Sequence, residues 1–422
     1  MEEIIKKIEQ AGGKLYLVGG AVRDELLGKK AKDEDYCVVG ISEDKFRELF
    51  PEARERGKAF AVFDLAGREF AMARTESKIG IGHKAFNIQT DASITIEQDL
   101  ERRDITINAI AKDISNGEII DPYNGTNDLK NKVIRATSGK FKEDPLRVYR
   151  VARFAAQLEF NVESNTIKCM TELKNELISL SKERVFCEFR KAMQTNKPSI
   201  FFNVLKQAQI LDVHFKEIAD LIGVEQPVIY HPEGDAYNHT MQSLNIASSL
   251  TRDEKIRYAT LVHDLGKGIT PKEEYPHHYG HDKAGAQLVR NLSNRIGTPK
   301  NWKKAGITSA EEHMRGGIFD RMREAKKVDF LERINKSILG LDGLQIVVIA
   351  DKFGNKAEIE TINFEKIGRQ MLEEIDGEKI KKKYGIAEGL DLKEKLREER
   401  IKWIKNVKEE NICIKLPITN QK

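Results

Sequence analysis

Cysteine is scarce in this chain. Its 422 residues hold four, Cys37, Cys169, Cys187 and Cys413, far apart and without a Cys-x-x-Cys pair. That usage excludes a disulfide framework and offers no zinc site, so the thiols read as reduced and mostly buried in a cytoplasmic protein. Long apolar runs are also missing: none approaches the ~18 residues that cross a bilayer, which excludes a membrane-spanning helix. An excess of one charge is missing too. There are 71 basic residues against 67 acidic ones, a net charge of +4. This permits nucleic-acid binding through local patches but does not by itself indicate it. No internal repeat and no low-complexity segment is found. The opening MEEIIKKIEQ reads as a charged amphipathic helix over residues 2–11, not as a signal peptide. Charged residues at 33% and hydrophobic ones at 40% describe a folded, soluble chain. It is too long for one core, so two to four domains are expected.

The most informative stretch runs from Lys14 to Gly40. Leu15 to Val18 is an apolar run of strand formers and reads as a buried strand. Gly19-Gly20 allows a sharp turn and a close backbone approach to a ligand. Ala21 to Leu27 reads as a helix, so Gly20 lies where amide N–H groups and the positive helix end favour a phosphate. Arg23 adds a positive charge. Asp33-Glu34-Asp35 then leads into a strand, Tyr36–Val39. Residues i and i+2 of a strand share a face about 7 Å apart, so Asp33 and Asp35 could hold hard metal ions between them. Magnesium, held by one or two carboxylates plus substrate phosphates, fits that place. Each piece alone is commonplace, but the order strand, GGxxRD, helix, DxD, strand is not. It closely resembles motif A of the class II tRNA nucleotidyltransferase and poly(A) polymerase family.

Further along, Phe60–Leu65 and Arg68–Ala73 predict a hairpin, with Glu69 either a third metal carboxylate or a solvated strand residue. Thr75–Gln89, with Gly80 and Gly82, reads as a mobile loop, and Ile96–Ala111 as helical. Within the latter, RRDxxxNA matches the family's motif B. The resemblance implies that Arg103 contacts nucleotide phosphate while Asp104 and Asn108 surround the sugar. Asp121 to Gly125, DPYNG, resembles motif C, a hinge. After about residue 135 the strands stop. Pro145 suits a helix start, and Arg147, Arg150 and Arg153 recur at helical spacing on one face. The string EDPLR matches motif D, an amino-acid template for incoming bases. By that match Asp144 and Arg147 read CTP or ATP, and Arg150 and Arg153 hold phosphates or the adjoining base.

A second constellation follows. His239 opens an apolar helix, His263-Asp264 ends another and is followed by Gly266-Lys267, and Asp351 ends a third. The order H…HD…D resembles the HD phosphohydrolase superfamily, whose ligands hold a divalent metal. Neutral His and Asp donors suit Ni, Mn or Fe as well as Mg. His277, His278 and His281 between them are ligands for a second metal, phosphate contacts, or simply a polar surface loop. The charged segments beyond residue 355 predict a helical tail, with lysines and arginines free for RNA phosphates or merely solvated.

Motifs A to D followed by an HD region resemble the bacterial multifunctional CCA proteins. The resemblance implies an α+β chain: a polymerase-β-like nucleotidyltransferase head with a mixed sheet (1–136), an all-α neck for base recognition (137–225), an all-α HD domain (226–355) and a helical tail (356–422). It implies template-independent addition of C, C and A to the 3′ end of tRNA from CTP and ATP, using Mg2+ in the head. A divalent metal such as Ni2+, Mn2+ or Mg2+ in the HD domain would serve a phosphatase or 2′,3′-cyclic phosphodiesterase. The partners implied are tRNA, CTP and ATP, with no membrane, for a monomer or homodimer. A CC-adding or A-adding enzyme and a poly(A) polymerase share motifs A to D. A protein of another class, binding tRNA ends for quality control with a silent head, is opposed by intact Asp33, Asp35, Asp104 and Arg147. The loop SKIGIGHKAFN departs from the family's sharper Gly-Ser pattern there, which bears on loop dynamics and the C-to-A switch.

Overall fold

The structure is a computed structural model that describes residues 1–31, 33–56, 61–78, 86–229, 234–352, 358–386, 388–407 and 413–417. The chain divides into two compact units, residues 1–192 with 200–213 and residues 193–199 with 214–422.

The first unit is built on strands β1 (Lys14–Val18), β2 (Asp35–Val39), β3 (Arg54–Arg56), β4 (Val62–Leu65), β5 (Arg68–Met72), β6 (Arg74–Lys78), β7 (Phe86–Thr90), β8 (Ala111–Asp113) and β9 (Ile119–Ile120). Seven of them form one mixed sheet in the order β3-β4-β5-β2-β1-β8-β9. β1 is antiparallel to β2, while β2 is parallel to β5. The continuous apolar run of β1 is explained by its central place, buried on both faces over Leu15 to Val18. Helices α1 (Glu2–Gln10), α2 (Gly20–Leu26), α3 (Glu43–Leu49) and α4 (Ile96–Glu101) accompany the sheet. Phe46 of α3 meets Phe63 and Phe70, while Ile96 and Leu100 of α4 join Tyr16, Val18 and Cys37 in a core cluster. Then come α5 (Gly125–Lys130), the short parallel pair β10 (Val133–Ile134) and β11 (Asn161–Val162), and helices α6 (Arg147–Leu158), α7 (Ser164–Glu172), α8 (Lys182–Met193) and α9 (Ser199–Gln207), followed by α10 (Leu211–Ala219), which belongs to the second unit from His214 on.

The second unit carries α11 (Ala236–Leu250), α12 (Glu254–Leu261), α13 (His281–Ile296), α14 (Lys300–Gly317), α15 (Glu324–Asn335) and α16 (Gly340–Lys352), then α17 (Phe364–Glu374), α18 (Gly377–Tyr384) and α19 (Leu390–Asn406). One apolar core takes in Ile256 and Ala259 of α12, Ala305 of α14, Val347 and Val348 of α16 and Ile404 of α19. The tail adds an antiparallel pair, β12 (Glu358–Ile362) with β13 (Cys413–Pro417), to its helices. Among the described residues no helix is long and apolar enough to cross a membrane.

Two local expectations are corrected. Thr75–Gln89 is not simply a loop: β6 and β7 pair antiparallel on either side of residues 79–85, which with Gly80 and Gly82 lie outside the described residues. Ile96–Ala111 is not one helix. α4 stops at Glu101, a 3-10 turn spans Thr106–Asn108, and β8 begins at Ala111. The cause is local. Asp104 accepts the backbone N–H of Ile105, and the segment holds Ile105, Thr106 and Ile107, which disfavour a helix. The predicted strand from Phe60 is seen from Val62 on, residues 57–60 being outside the described set.

Candidate active sites

In the first unit the sheet sets the geometry. Val18 at the end of β1 pairs with Asp35 at the start of β2, and Asp35 pairs in turn with Glu69 of β5. Two carboxylates thus stand on neighbouring strands beside the Gly19-Gly20 turn, with Asp33 exposed in the bend just ahead. Gly19 has φ +70°, and a Cβ there would fall 2.8 Å from Nη1 of Arg103. The glycine is therefore required by the turn, and a side chain there would also push the Arg103 guanidinium aside. A cleft of about 220 Å³ is lined by Asp35, Glu69, Arg74, Asp99, Arg102 and Arg103. The Asp35 carboxyl is raised above its ordinary range by loss of water, with Arg103 opposing and Asp33 adding to the rise. A carboxylate stripped of water beside further carboxylates is a donor set that a divalent cation satisfies.

Asp99, not singled out from the sequence, organises the cationic wall. Buried at the end of α4, it accepts from Nε and Nη2 of Arg102 at 3.0 and 2.7 Å and from Nη2 of Arg103 at 3.2 Å. Nε of Arg103 is buried without a hydrogen bond. The missed signal was the spacing of Asp99 to Arg102 and Arg103, i to i+3 and i+4.

Next to it runs a buried polar chain. Arg23 Nη1 donates to Asn108 Oδ1 at 2.7 Å, Asn108 Nδ2 donates to Asp104 Oδ1 at 3.2 Å, and Arg150 Nε donates to Asp104 Oδ2 at 2.7 Å. Burial raises the Asp104 carboxyl, but Arg150 and Asn108 outweigh it and hold it below its ordinary value. The structure thus joins four of the predicted nucleotide residues directly. Gly20 opens α2 one residue after the turn. Asp144, just ahead of α6, accepts the Leu146 N–H at 3.0 Å and pairs with Nη2 of Arg184 at 2.9 Å, a partner the sequence did not suggest. Arg147 is buried, and its guanidinium donates to the carbonyl oxygens of Lys140 and Arg102 at 2.7 and 2.5 Å. Arg153 donates to buried Glu188 of α8 at 2.5 Å and to Gln157 at 2.8 Å. Phe154 lies under Arg23, Arg150 and Arg153 at 5.5, 5.6 and 3.7 Å.

In the second unit His239, His263, Asp264 and Asp351 converge. Nε2 of His239 lies 3.0 Å from Asp351 Oδ1, and Nε2 of His263 lies 3.4 Å from the same oxygen and 3.2 Å from Asp264 Oδ2. The α11, α12 and α16 positions predicted from apolar helix ends account for this meeting. His263 Nδ1 donates to the Thr260 carbonyl at 2.7 Å, which turns its Nε2 lone pair inward. Burial opposes charge on His263, but Asp264 and Asp351 outweigh it and push the imidazole up to about 10. Both carboxylates, despite burial, are held well below their ordinary range by those histidines, and Asp264 by Lys267 as well. The pocket is thus built to hold positive charge. Lys267 Nζ lies 2.6 Å from Asp264 Oδ2 and donates to Gln226 at 2.7 Å.

Of the three histidines left open, His281 comes to Asp264, together with His313, which the sequence did not suggest. His277 stacks on Tyr279, and His278 Nε2 lies 2.8 Å from the Glu225 carbonyl.

Residues 15–135 match the family described as poly A polymerase head domain, residues 159–222 the probable RNA and SrmB-binding site of polymerase A, and residues 236–356 the HD domain. A multifunctional CCA protein of Mannheimia succiniciproducens is 43% identical over 356 residues, covering 80% of this chain and 84% of that one. Another, of Shewanella frigidimarina, is 44% identical over 307 residues, covering 71% and 73%. Among solved structures, a CCA-adding enzyme in complex with ATP superposes with TM-score 0.65 at 22% identity, covering 97% of this chain and 90% of that one. The Thermotoga maritima CCA-adding enzyme complexed with tRNA gives 0.64 at 19% identity, covering 96% and 90%.

Proposed function

Since the chain belongs to the family of the multifunctional CCA proteins, we propose that it builds the CCA end of tRNA with the residues around Asp35 and cleaves phosphoesters with those around Asp264. It is a tRNA nucleotidyltransferase with an HD domain fitted for phosphohydrolysis. In this reading residues 1–136 are the head, 137–225 the neck, 226–355 the HD domain and 356–422 the tail.

The observation that carries the head's role is the register Asp35 to Glu69 beside Gly19, faced by Arg103. The 3′-hydroxyl of tRNA attacks the α-phosphate of CTP or ATP, and pyrophosphate leaves. Asp33 and Asp35 would hold Mg2+, which when bound lowers the hydroxyl's pKa and offsets the charge on the leaving oxygen. Arg103, with its unpaired Nε, receives the triphosphate over the Gly19-Gly20 turn, where Arg23 adds positive charge. Asp104 and Asn108, fixed by Arg23 and Arg150, present a rigid edge to the ribose. Asp144 and Arg147 read the base edge, Arg184 orienting the carboxylate, and Arg150 and Arg153 complete that wall. Incubation with tRNA lacking CCA, then CTP, ATP or both, followed by 3′-end sequencing, tests it. CCA is expected with both nucleotides; CC alone or A alone would assign a partial-addition enzyme, and a homopolymer tail a poly(A) polymerase.

Asp144→Ala relaxes base choice. An unmatched base-edge hydrogen bond costs about 1–3 kcal/mol, so UTP and GTP incorporation rises roughly 5- to 150-fold relative to CTP and ATP. Equal loss for all four nucleotides would assign Asp144 to phosphate chemistry instead. Arg147→Ala does the same and also lowers the melting temperature, because the carbonyls of Lys140 and Arg102 lose their buried donor.

In the HD domain His239, His263, Asp264 and Asp351 would hold a divalent ion, Ni2+, Mn2+ or Mg2+, which when bound polarises a phosphoester. Lys267 fixes the Asp264 carboxylate and brings positive charge to the phosphate. 2′,3′-Cyclic nucleotides and phosphate monoesters are the substrates to test.

A further inference from the structure

One donor and one acceptor stand unused beside Lys267. Lys267 Nζ lies 2.7 Å from the side-chain amide of Gln226. An ammonium only donates, so the amide atom facing it is Oε1 and the other is the NH2 group. Gln226 is 3% exposed, and its Nε2 is buried without a hydrogen-bond partner among the described residues. His278 is tied to the residue just before it, with Nε2 2.8 Å from the Glu225 carbonyl. A carbonyl only accepts, so this Nε2 carries the proton and Nδ1 presents its lone pair. Burial lowers the pKa of the imidazole, the Glu225 carbonyl opposing and Lys267 adding to the fall, so the ring is neutral. Its Nδ1 is also buried without a partner.

A buried N–H and a buried ring nitrogen are both costly to leave unpaired. A phosphate oxygen satisfies the amide but repels the lone pair of His278. A cation satisfies that lone pair but repels the amide hydrogens. A hydroxyl satisfies both, accepting from Gln226 and donating to His278. Lys267 ties this pair to the metal-binding group, because it bonds Gln226 and lies 2.6 Å from Asp264 Oδ2. A hydroxyl held there is the near neighbour of a phosphate that Lys267 receives. We propose that Gln226 and His278 bind a hydroxyl on the carbon next to the phosphoester, so that the HD domain selects phosphate esters of vicinal diols, as in ribonucleotides.

This inference rests on the phosphohydrolase reading above and adds the group that the substrate must carry. It also connects the two kinds of substrate named there. Opening a 2′,3′-cyclic phosphate with water breaks one P–O bond, adds hydroxide to phosphorus and passes the proton to the released ribose oxygen. The product is a monoester with the required hydroxyl beside it. A site built to bond a hydroxyl rejects the analogue that lacks it, because its buried partners are then left unpaired.

The test compares the 2′- and 3′-monophosphates of adenosine with their counterparts lacking the neighbouring hydroxyl, using the full chain with Mn2+. kcat/KM is expected to be roughly 10- to 100-fold higher for the ribose esters. That ratio falls toward one in Gln226→Met, which removes the donor. It falls likewise in His278→Gln, whose amide still donates to the Glu225 carbonyl but offers no acceptor in place of Nδ1. The second variant decides the matter if the first does not fold. Another readout needs no turnover. In protein labelled with 15N-histidine and supplied with Mg2+, the His278 Nδ1 resonance is assigned by its loss in His278→Gln. It shifts with adenosine 3′-monophosphate and not with the 2′-deoxy ester. Equal kcat/KM for ribose and deoxy esters in the wild type, or a ratio kept in a folded variant, overturns the hydroxyl site. If no ester is hydrolysed, the phosphohydrolase reading falls and the resonance alone decides. A shift specific to the ribose ester then supports the hydroxyl site, and an equal response to both esters, or none, overturns it.

Discussion

Asp35→Ala lowers CTP and ATP addition to tRNA lacking its 3′ end by at least about 10³-fold, since metal-held charge stabilisation is worth several kcal/mol and each 1.36 kcal/mol is tenfold in rate. Asp33→Ala does the same. Neither variant unfolds the head. Asp35 begins a strand at the cleft and Asp33 sits exposed in the preceding bend, so neither supports the core. The Asp35 carboxyl is raised by desolvation and by Asp33, against Arg103. Removing one carboxylate relieves that repulsion, and the melting temperature stays level or rises. Glu69→Ala separates a third ligand from a solvated neighbour of Asp35: a loss of similar size marks a ligand, an unchanged rate a bystander. Single-turnover extension assays beside thermal melts provide both numbers, and normal tailing by Asp35→Ala would remove the metal-site assignment.

What was readable in the sequence was what a local pattern determines. The buried strand before Gly19-Gly20 and the carboxylate after it were legible because strand period and glycine conformation are local properties. The same holds for His239, His263-Asp264 and Asp351, each at an apolar helix end. What stayed hidden depends on tertiary meeting. His313 stands alone in the charged run AEEHMRGG, and nothing in that run says that α14 brings it to the carboxylate of Asp264, far earlier in the chain. The β6–β7 pair was masked by Gly80 and Gly82 between its strands. The helix read over Ile96–Ala111 failed where Asp104 bonded its own neighbour's backbone, a competition that periodicity does not register. The roles of Arg147 and Arg153 carry a structural half that no motif reveals. One ties two backbone carbonyls together and the other joins α6 to α8 through Glu188.

The two chemistries separate cleanly by substitution. His263→Ala or Asp264→Ala abolishes metal-dependent hydrolysis of 2′,3′-cyclic nucleotides and phosphate monoesters, while CCA addition persists, because no residue is common to the two sites. Asp264 has the larger effect, as it faces His239, His263 and Lys267 through one oxygen and His281 and His313 through the other. Stability gives a second reading. An ion that binds only the folded state stabilises it by about 2.7 kcal/mol at a hundred times its Kd. Mn2+ or Ni2+ therefore raises the melting temperature of the wild-type HD domain and leaves that of Asp264→Ala nearly unmoved. Removal of the metal with a chelator reverses the wild-type shift, although His263, pushed up to about 10, takes a proton in its place and preserves part of the charge balance. If wild-type protein hydrolyses none of these substrates with Mg2+, Mn2+ or Ni2+, the HD domain serves as a scaffold for the tRNA arm. Should His263→Ala stop tailing in a protein that still melts cooperatively, the independence of the two sites is refuted, and the Asp264 cluster takes part in nucleotide addition.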